Sequence, residues 1–150
     1  MSIILGIDPG TTTIGYALME KKKTLELLDY GIISTTPKID NAIKLLEIGT
    51  DMKALIEKYQ PNVVAVEKLF FTSNQKTGIA VAECRGVILY EAMKHGLPIL
   101  EFTPLQVKKA ITSNGQANKK QMQQAIKMIM RLKEIPKPDD AADAIAIAYI

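Results

Sequence analysis

Apolar and polar positions alternate between two periods along this chain, and the switches mark out its elements. The run Ile3-Ile4-Leu5-Gly6-Ile7 is branched and continuous, as in a buried strand. It closes on one carboxylate, Asp8, and a Pro9-Gly10 turn. A second apolar run, Ile14 to Met19, begins at once and extends to about Glu20; after Lys21-Lys22-Lys23 a long strand covers Thr24 to Thr35. Short turns between these three strands predict an antiparallel meander. Past Pro37, apolar residues recur at helical spacing from Ala42 to Ile56, with Asp40 placed to cap the helix and Pro61 to end it. Asn62 to Lys68 repeats the opening pattern, an apolar run closed by a carboxylate, here Glu67. A strand joined through a crossover helix to another strand implies parallel pairing with the earlier sheet.

The second half alternates further. Lys76 to His95 reads as a helix that is apolar nearly all round, interrupted by Gly78, Ala80 and Gly86, and therefore buried on more than one side, against the sheet and against a partner subunit or other helices. Gly96 to Phe102 is a fifth strand, Pro104 opens a short helix, Asn118 to Leu132 is another, and Asp139 to Ile150 is the last, with Asp139 after Pro138 as its N-cap. The expected fold class is α/β: one domain over residues 1–150, with a five-stranded mixed sheet, three antiparallel strands then parallel ones, and helices on both faces.

Two carboxylates at the ends of neighbouring parallel strands would meet at one sheet edge, where open α/β sheets place their ligands. Asp8 could instead simply cap its turn through its side chain. The last helix adds Asp140 and Asp143, three residues apart and so on one face, set among alanines small enough to let the helix approach the sheet. Acids in a first helical turn also suit the helix dipole, which accounts for Asp139 and Asp140 more readily than for Asp143. Four converging like charges repel unless a cation relieves them. Oxygen ligands without histidine or cysteine suit Mg²⁺ or Mn²⁺, and two such ions would support in-line hydrolysis of a phosphodiester.

Charge distribution strengthens this picture more than total charge does. The chain carries +3 overall, yet the segment from Gln106 to Lys137 alone carries +7, including Lys108, Lys119 and Lys120. Acids gathered in one site on an otherwise basic surface suit a polyanion. Phe70 or Phe71, just after Glu67, could stack on an unpaired base. One cysteine, Cys84, excludes an internal disulfide and fits a reducing, cytoplasmic setting. No apolar run is long enough to cross a bilayer, and nothing before Ile3 reads as a signal peptide. Cys84 reads as core, and His95 as a residue near a helix C-terminus without a partner that would make it a catalytic base.

Five motifs in order resemble the RuvC family of Holliday-junction resolvases: Gly6-Ile-Asp8-Pro-Gly10, Ala65-Val-Glu67 with Phe70, Ala82-Glu-Cys-Arg85-Gly86, Gln106-Val-Lys108, and Asp140-Ala-Ala-Asp143-Ala-Ile-Ala. The resemblance spans nearly the whole chain. It implies an RNase H-like fold, a homodimer, and Mg²⁺-dependent symmetric nicking of four-way DNA junctions during recombination and repair, with two ions per active site and Mn²⁺ able to substitute. It implies Asp8, Glu67, Asp140 and Asp143 as catalytic metal ligands, Phe70 at the junction centre, and Lys108 and Lys119, with adjoining Lys120, on DNA. It further implies work alongside the RuvA–RuvB motor and a polar tail after Ile150. Asp139 adjoins Asp140 and Phe71 adjoins Phe70, so either neighbour could take the role. Other readings are an RNase H-like nuclease of the YqgF type acting on RNA, a non-enzymatic junction-binding protein, and an actin- or Hsp70-like ATP-binding fragment, the last suggested by the phosphate-loop look of Gly6 to Thr12.

Overall fold

In the computed structural model, which describes residues 1–69 and 75–150, the expected meander is present. Strands β1 (Ser2–Asp8), β2 (Thr13–Lys21) and β3 (Leu25–Ser34) pair antiparallel in sequence order. After helix α1 (Asn41–Tyr59), strand β4 (Val63–Glu67) lies parallel to β1, with Ile7 opposite Val66. Helix α2 (Gln75–Lys94) leads to β5 (Ile99–Phe102), parallel to β4. The sheet order is β3-β2-β1-β4-β5, so the two strands that end in Asp8 and Glu67 are adjacent at its centre.

Three helices complete the chain: α3 (Pro104–Thr112), α4 (Lys119–Ile129) and α5 (Asp139–Tyr149). The sheet separates two cores. On one face, Leu5, Ile7, Ile14, Leu18, Val64 and Val66 meet α1 and α2 through Ile48, Met52, Ile56, Cys84 and Ile88. On the other, Ala17, Met19 and Ala65 meet α3, α4 and α5. Alternate strand residues feed opposite cores, as the period of two requires. This is a five-stranded mixed sheet with helices on both faces, as expected.

The differences lie at helix ends and on α2. Asp40 occupies the N-cap position of α1, but its side chain makes no capping hydrogen bond. Asp139 is not the N-cap of α5: Pro138 takes that place and Asp139 is the first helical residue. Helix α4 stops at Ile129, short of Leu132, because Arg131 adopts a left-handed φ of 52°. Helix α2 packs against both the sheet and α1, as expected, but one stripe of it is left uncovered. Its Cys84, Ile88 and Ala92 are buried, whereas Ile79, Tyr90 and Met93 are more than half exposed. Positions 79, 86, 90 and 93 fall on one helical stripe. Cys84 is core, its thiol pushed up to about 11 by burial. His95 follows α2 and places Nδ1 2.8 Å from the Glu91 carbonyl.

A candidate carboxylate metal centre beside a basic cleft

The site begins with how closely α5 lies on the sheet. A Cβ built on Gly15 of β2 would fall 1.8 Å from the Asp140 carbonyl oxygen, and one on Gly6 of β1 would fall 2.6 Å from that of Ala144. Only glycine fits where backbone meets backbone at this range. The alanines of α5 form the other half of the contact: Ala141, Ala144 and Ala148 are essentially inaccessible. Small residues on both elements thus lower α5 onto β1 and β2 and carry its N-terminal acids to the end of β1.

There Asp8, Asp140 and Asp143 each offer a carboxylate oxygen, and these oxygens lie within 4.8 Å of one another. All three side chains are half-buried. Burial, then the charges of Asp143, Glu67 and Asp140, push the Asp8 carboxyl up to about 8 from its ordinary 3.8. Burial also raises Asp143, as Lys119 pulls it back. Glu67 lies outside the trio, but burial and the charge of Asp143 raise its carboxyl too, opposed by Lys108. The residues therefore fit a cation physically: oxygen-only donors, crowded, desolvated and mutually repelling, with Asp8 forced to keep a proton near neutrality. Of the adjacent pair, Asp140 joins the trio. Asp139 faces away, 3.0 Å from Lys119 Nζ and accepting from Gln123 at 2.9 Å.

Asp140 is also held from outside. The Thr13 hydroxyl donates to its Oδ2 at 2.6 Å. Neither Thr13 nor Gly15 stood out in the sequence as a site residue. The only signal was their place directly after the Pro-Gly turn, on the strand paired with β1.

Two capping boxes set the lysines. Thr103 accepts from the Gln106 N–H at 3.1 Å, and Gln106 Oε1 accepts from the Thr103 N–H at 2.8 Å, starting α3 one turn before Lys108. Asn118 and Gln121 repeat this at the start of α4, whose first residues are Lys119 and Lys120. Lys119 and Lys120 lie in the first turn of α4, where cations oppose the helix dipole, and Lys119 is paired there with Asp139. Lys108 and Lys119 share a cleft of ≈ 260 Å³ with Glu67 and Asp143. Lys120 instead lines an apolar groove between α3 and α4. Phe70 and Phe71 lie outside the described residues.

The family model for crossover junction endodeoxyribonuclease RuvC matches residues 4–150. The chain belongs to the RuvC family. A relative from Halothermothrix orenii named crossover junction endodeoxyribonuclease RuvC is 50% identical over 97% of this chain and 89% of its own length. One from Caldicellulosiruptor saccharolyticus with the same name is 47% identical over the same shares. Among solved structures, T. thermophilus RuvC in complex with a Holliday junction substrate superposes with a TM-score of 0.92 at 30% identity, covering 99% of this chain and 92% of that one. The yeast mitochondrial Holliday junction resolvase Ydc2, at 17% identity and a TM-score of 0.69, shares the fold. This RuvC-family chain thus has the resolvase fold that its motifs implied. No helix among its described residues is long and apolar enough to cross a membrane.

Proposed function

We propose that this chain is a Mg²⁺-dependent endonuclease that resolves four-way DNA junctions by paired, symmetric nicks. The convergence of Asp8, Asp140 and Asp143 oxygens within 4.8 Å, with Asp8 pushed up to about 8, carries the reading. Asp8, Asp140 and Asp143, with Glu67 beside them, would hold two Mg²⁺ ions, or Mn²⁺ in their place. An ion held by these carboxylates would lower the pKa of an attacking water and neutralise charge on the phosphate. Asp8 releases its proton when the site loads. Lys119 and Lys108, at the rim of the cleft, hold the flanking phosphates and orient the scissile bond over the carboxylates. The water's oxygen would join phosphorus as the bond to the departing ester oxygen breaks, the water giving up one proton to solvent and the displaced oxygen taking one up.

Two matched cuts need two sites related by the junction's approximate two-fold axis, so the active form is a homodimer. The α2 stripe of Ile79, Gly86, Tyr90 and Met93 is the surface suited to it: apolar apart from Glu83, over half exposed at its three large residues, and smooth at Gly86. Residues 1–150 act as one nuclease domain in the cytoplasm, alongside the RuvA–RuvB motor, and an aromatic after Glu67 works at the junction centre.

The test is cleavage of a mobile synthetic four-way junction in Mg²⁺, with linear duplex and structured RNA as controls, for wild type and Asp8→Asn. Paired nicks at symmetric positions, lost in the variant, are expected. Binding without cutting by wild type, or preferential cutting of RNA or linear duplex, would overturn the proposal.

A further inference from the structure

The parallel ladder between β1 and β4 stops at Ile7 opposite Val66, one residue short of the two carboxylates. The reason is in the sequence. The Lys68 N–H bonds to the Phe102 carbonyl on β5, so one residue back Glu67 turns its backbone groups toward β1. In that register the Glu67 carbonyl would accept from the N–H of residue 9. Residue 9 is proline and has none. The Pro-Gly turn that projects Asp8 therefore removes one of the two backbone bonds that would tie Glu67 to β1, the one made by its carbonyl.

Arg85 fills the gap. From the middle of α2 its Nε donates to the Glu67 carbonyl at 3.2 Å. Its guanidinium also pairs with the Glu101 carboxylate on β5. The Arg85 side chain is 16% exposed and lines the cavity that Asp8, Pro9 and Glu67 share. One rigid fork thus joins α2 to the carboxyl ends of two neighbouring strands, and the geometry demands arginine: a lysine ammonium cannot present two donors in a fixed plane.

We infer that Arg85 is a positioning residue that replaces the ladder hydrogen bond lost at Pro9 and so holds the Glu67 carboxylate in register with Asp8, with Glu101 anchoring the fork. This rests on the nuclease reading above only for its activity readout. Arg85 reaches the chemistry through the Glu67 backbone and not through DNA. Its loss should weaken metal binding and slow cutting while leaving junction affinity intact.

The test compares wild type with Arg85→Gln, Arg85→Lys and Glu101→Gln. Calorimetric titration with Mn²⁺ alone, without DNA, reads the site directly. Arg85→Gln should weaken Mn²⁺ binding by about 10-fold, as for other residues that orient metal ligands. Glu101→Gln, which keeps an acceptor, should weaken it less, and Arg85→Lys should fall between. Single-turnover junction cleavage should fall in the same order and recover in part as Mg²⁺ is raised, with the junction Kd in EDTA unchanged. Should Arg85→Gln fail to fold, the lysine and Glu101 variants carry the same comparison. Unchanged Mn²⁺ affinity in folded variants would overturn the inference even where wild type cuts junctions normally. So would a junction Kd that rises in step with lost cleavage, since that marks a phosphate contact. Weakened Mn²⁺ binding in a protein that cuts no junction would support Arg85 as positioning residue and overturn the nuclease reading alone.

Discussion

Asp8→Asn should make the metal-free protein more stable at alkaline pH, although it removes a residue at the centre of the site. Folding moves the Asp8 carboxyl from 3.8 to about 8, with burial as the first cause and Asp143, Glu67 and Asp140 adding to it. The sign follows from linkage. An acid whose pKa is raised on folding binds its proton more tightly in the folded state, so stability is full below about pH 4 and is lost as pH rises toward 8. At 1.36 kcal/mol per pKa unit the ceiling is about 6 kcal/mol. The side chain is not fully enclosed, and water and small rearrangements relieve part of the repulsion, leaving on the order of 3 kcal/mol. In a chain of this size that moves Tm by roughly 6 to 12 °C. Asparagine keeps the shape and carries no charge. Scanning calorimetry in EDTA from pH 4.5 to 8.5 should show the variant's advantage growing with pH. Saturating Mg²⁺ should then raise the wild-type Tm and leave the variant nearly unmoved, since a ligand stabilises only the state that binds it. A Tm difference independent of pH, or a variant less stable than wild type at pH 8.5 in EDTA, would refute the view that these carboxylates are strained without a cation.

Three further outcomes are expected. Gly15→Ala would drive a methyl into the Asp140 backbone and should lower stability by about 3 kcal/mol or more, read from the urea midpoint, with metal affinity lost as α5 lifts. Thr13→Val removes the 2.6 Å bond to Asp140; it should cost about 1 kcal/mol in denaturant titration and weaken Mn²⁺ binding by about 10-fold. Lys119→Ala should lower the slope of log junction affinity against log salt by about 1, and at a given pH should raise the fraction of Asp8 and Asp143 that stays protonated, since Lys119 favours their charged forms.

The elements could be read from the chain because their signals are local. Periods of 2 and 3.6, Pro61, Pro104 and the turn residues act within a few positions, and the meander, the crossover and both helical layers followed from them. The carboxylates were legible for a related reason. A charge that closes an otherwise apolar strand, as at Asp8 and Glu67, or that sits among alanines, as at Asp143, breaks the local pattern, and such breaks mark sites. The capping boxes Thr103-x-x-Gln106 and Asn118-x-x-Gln121 were equally open to reading.

What tertiary structure alone decided depends on groups far apart in sequence. Asp140 rather than Asp139 faces Asp8 because the rotation of α5 about its axis is set by contact with Gly15 and Gly6, which lie more than 120 residues away. Glu67 is not among the residues whose oxygens lie within 4.8 Å of one another, which no strand pattern encodes. The exposure of Ile79, Tyr90 and Met93 reflects which side of α2 meets the sheet, and an all-round apolar helix carries no moment to say so. Arg85 and Pro9 are both plain in the sequence. That the one supplies what the other removes emerges only when α2 is laid across the ends of β4 and β5, because a missing hydrogen bond is a property of two strands in register and not of either alone.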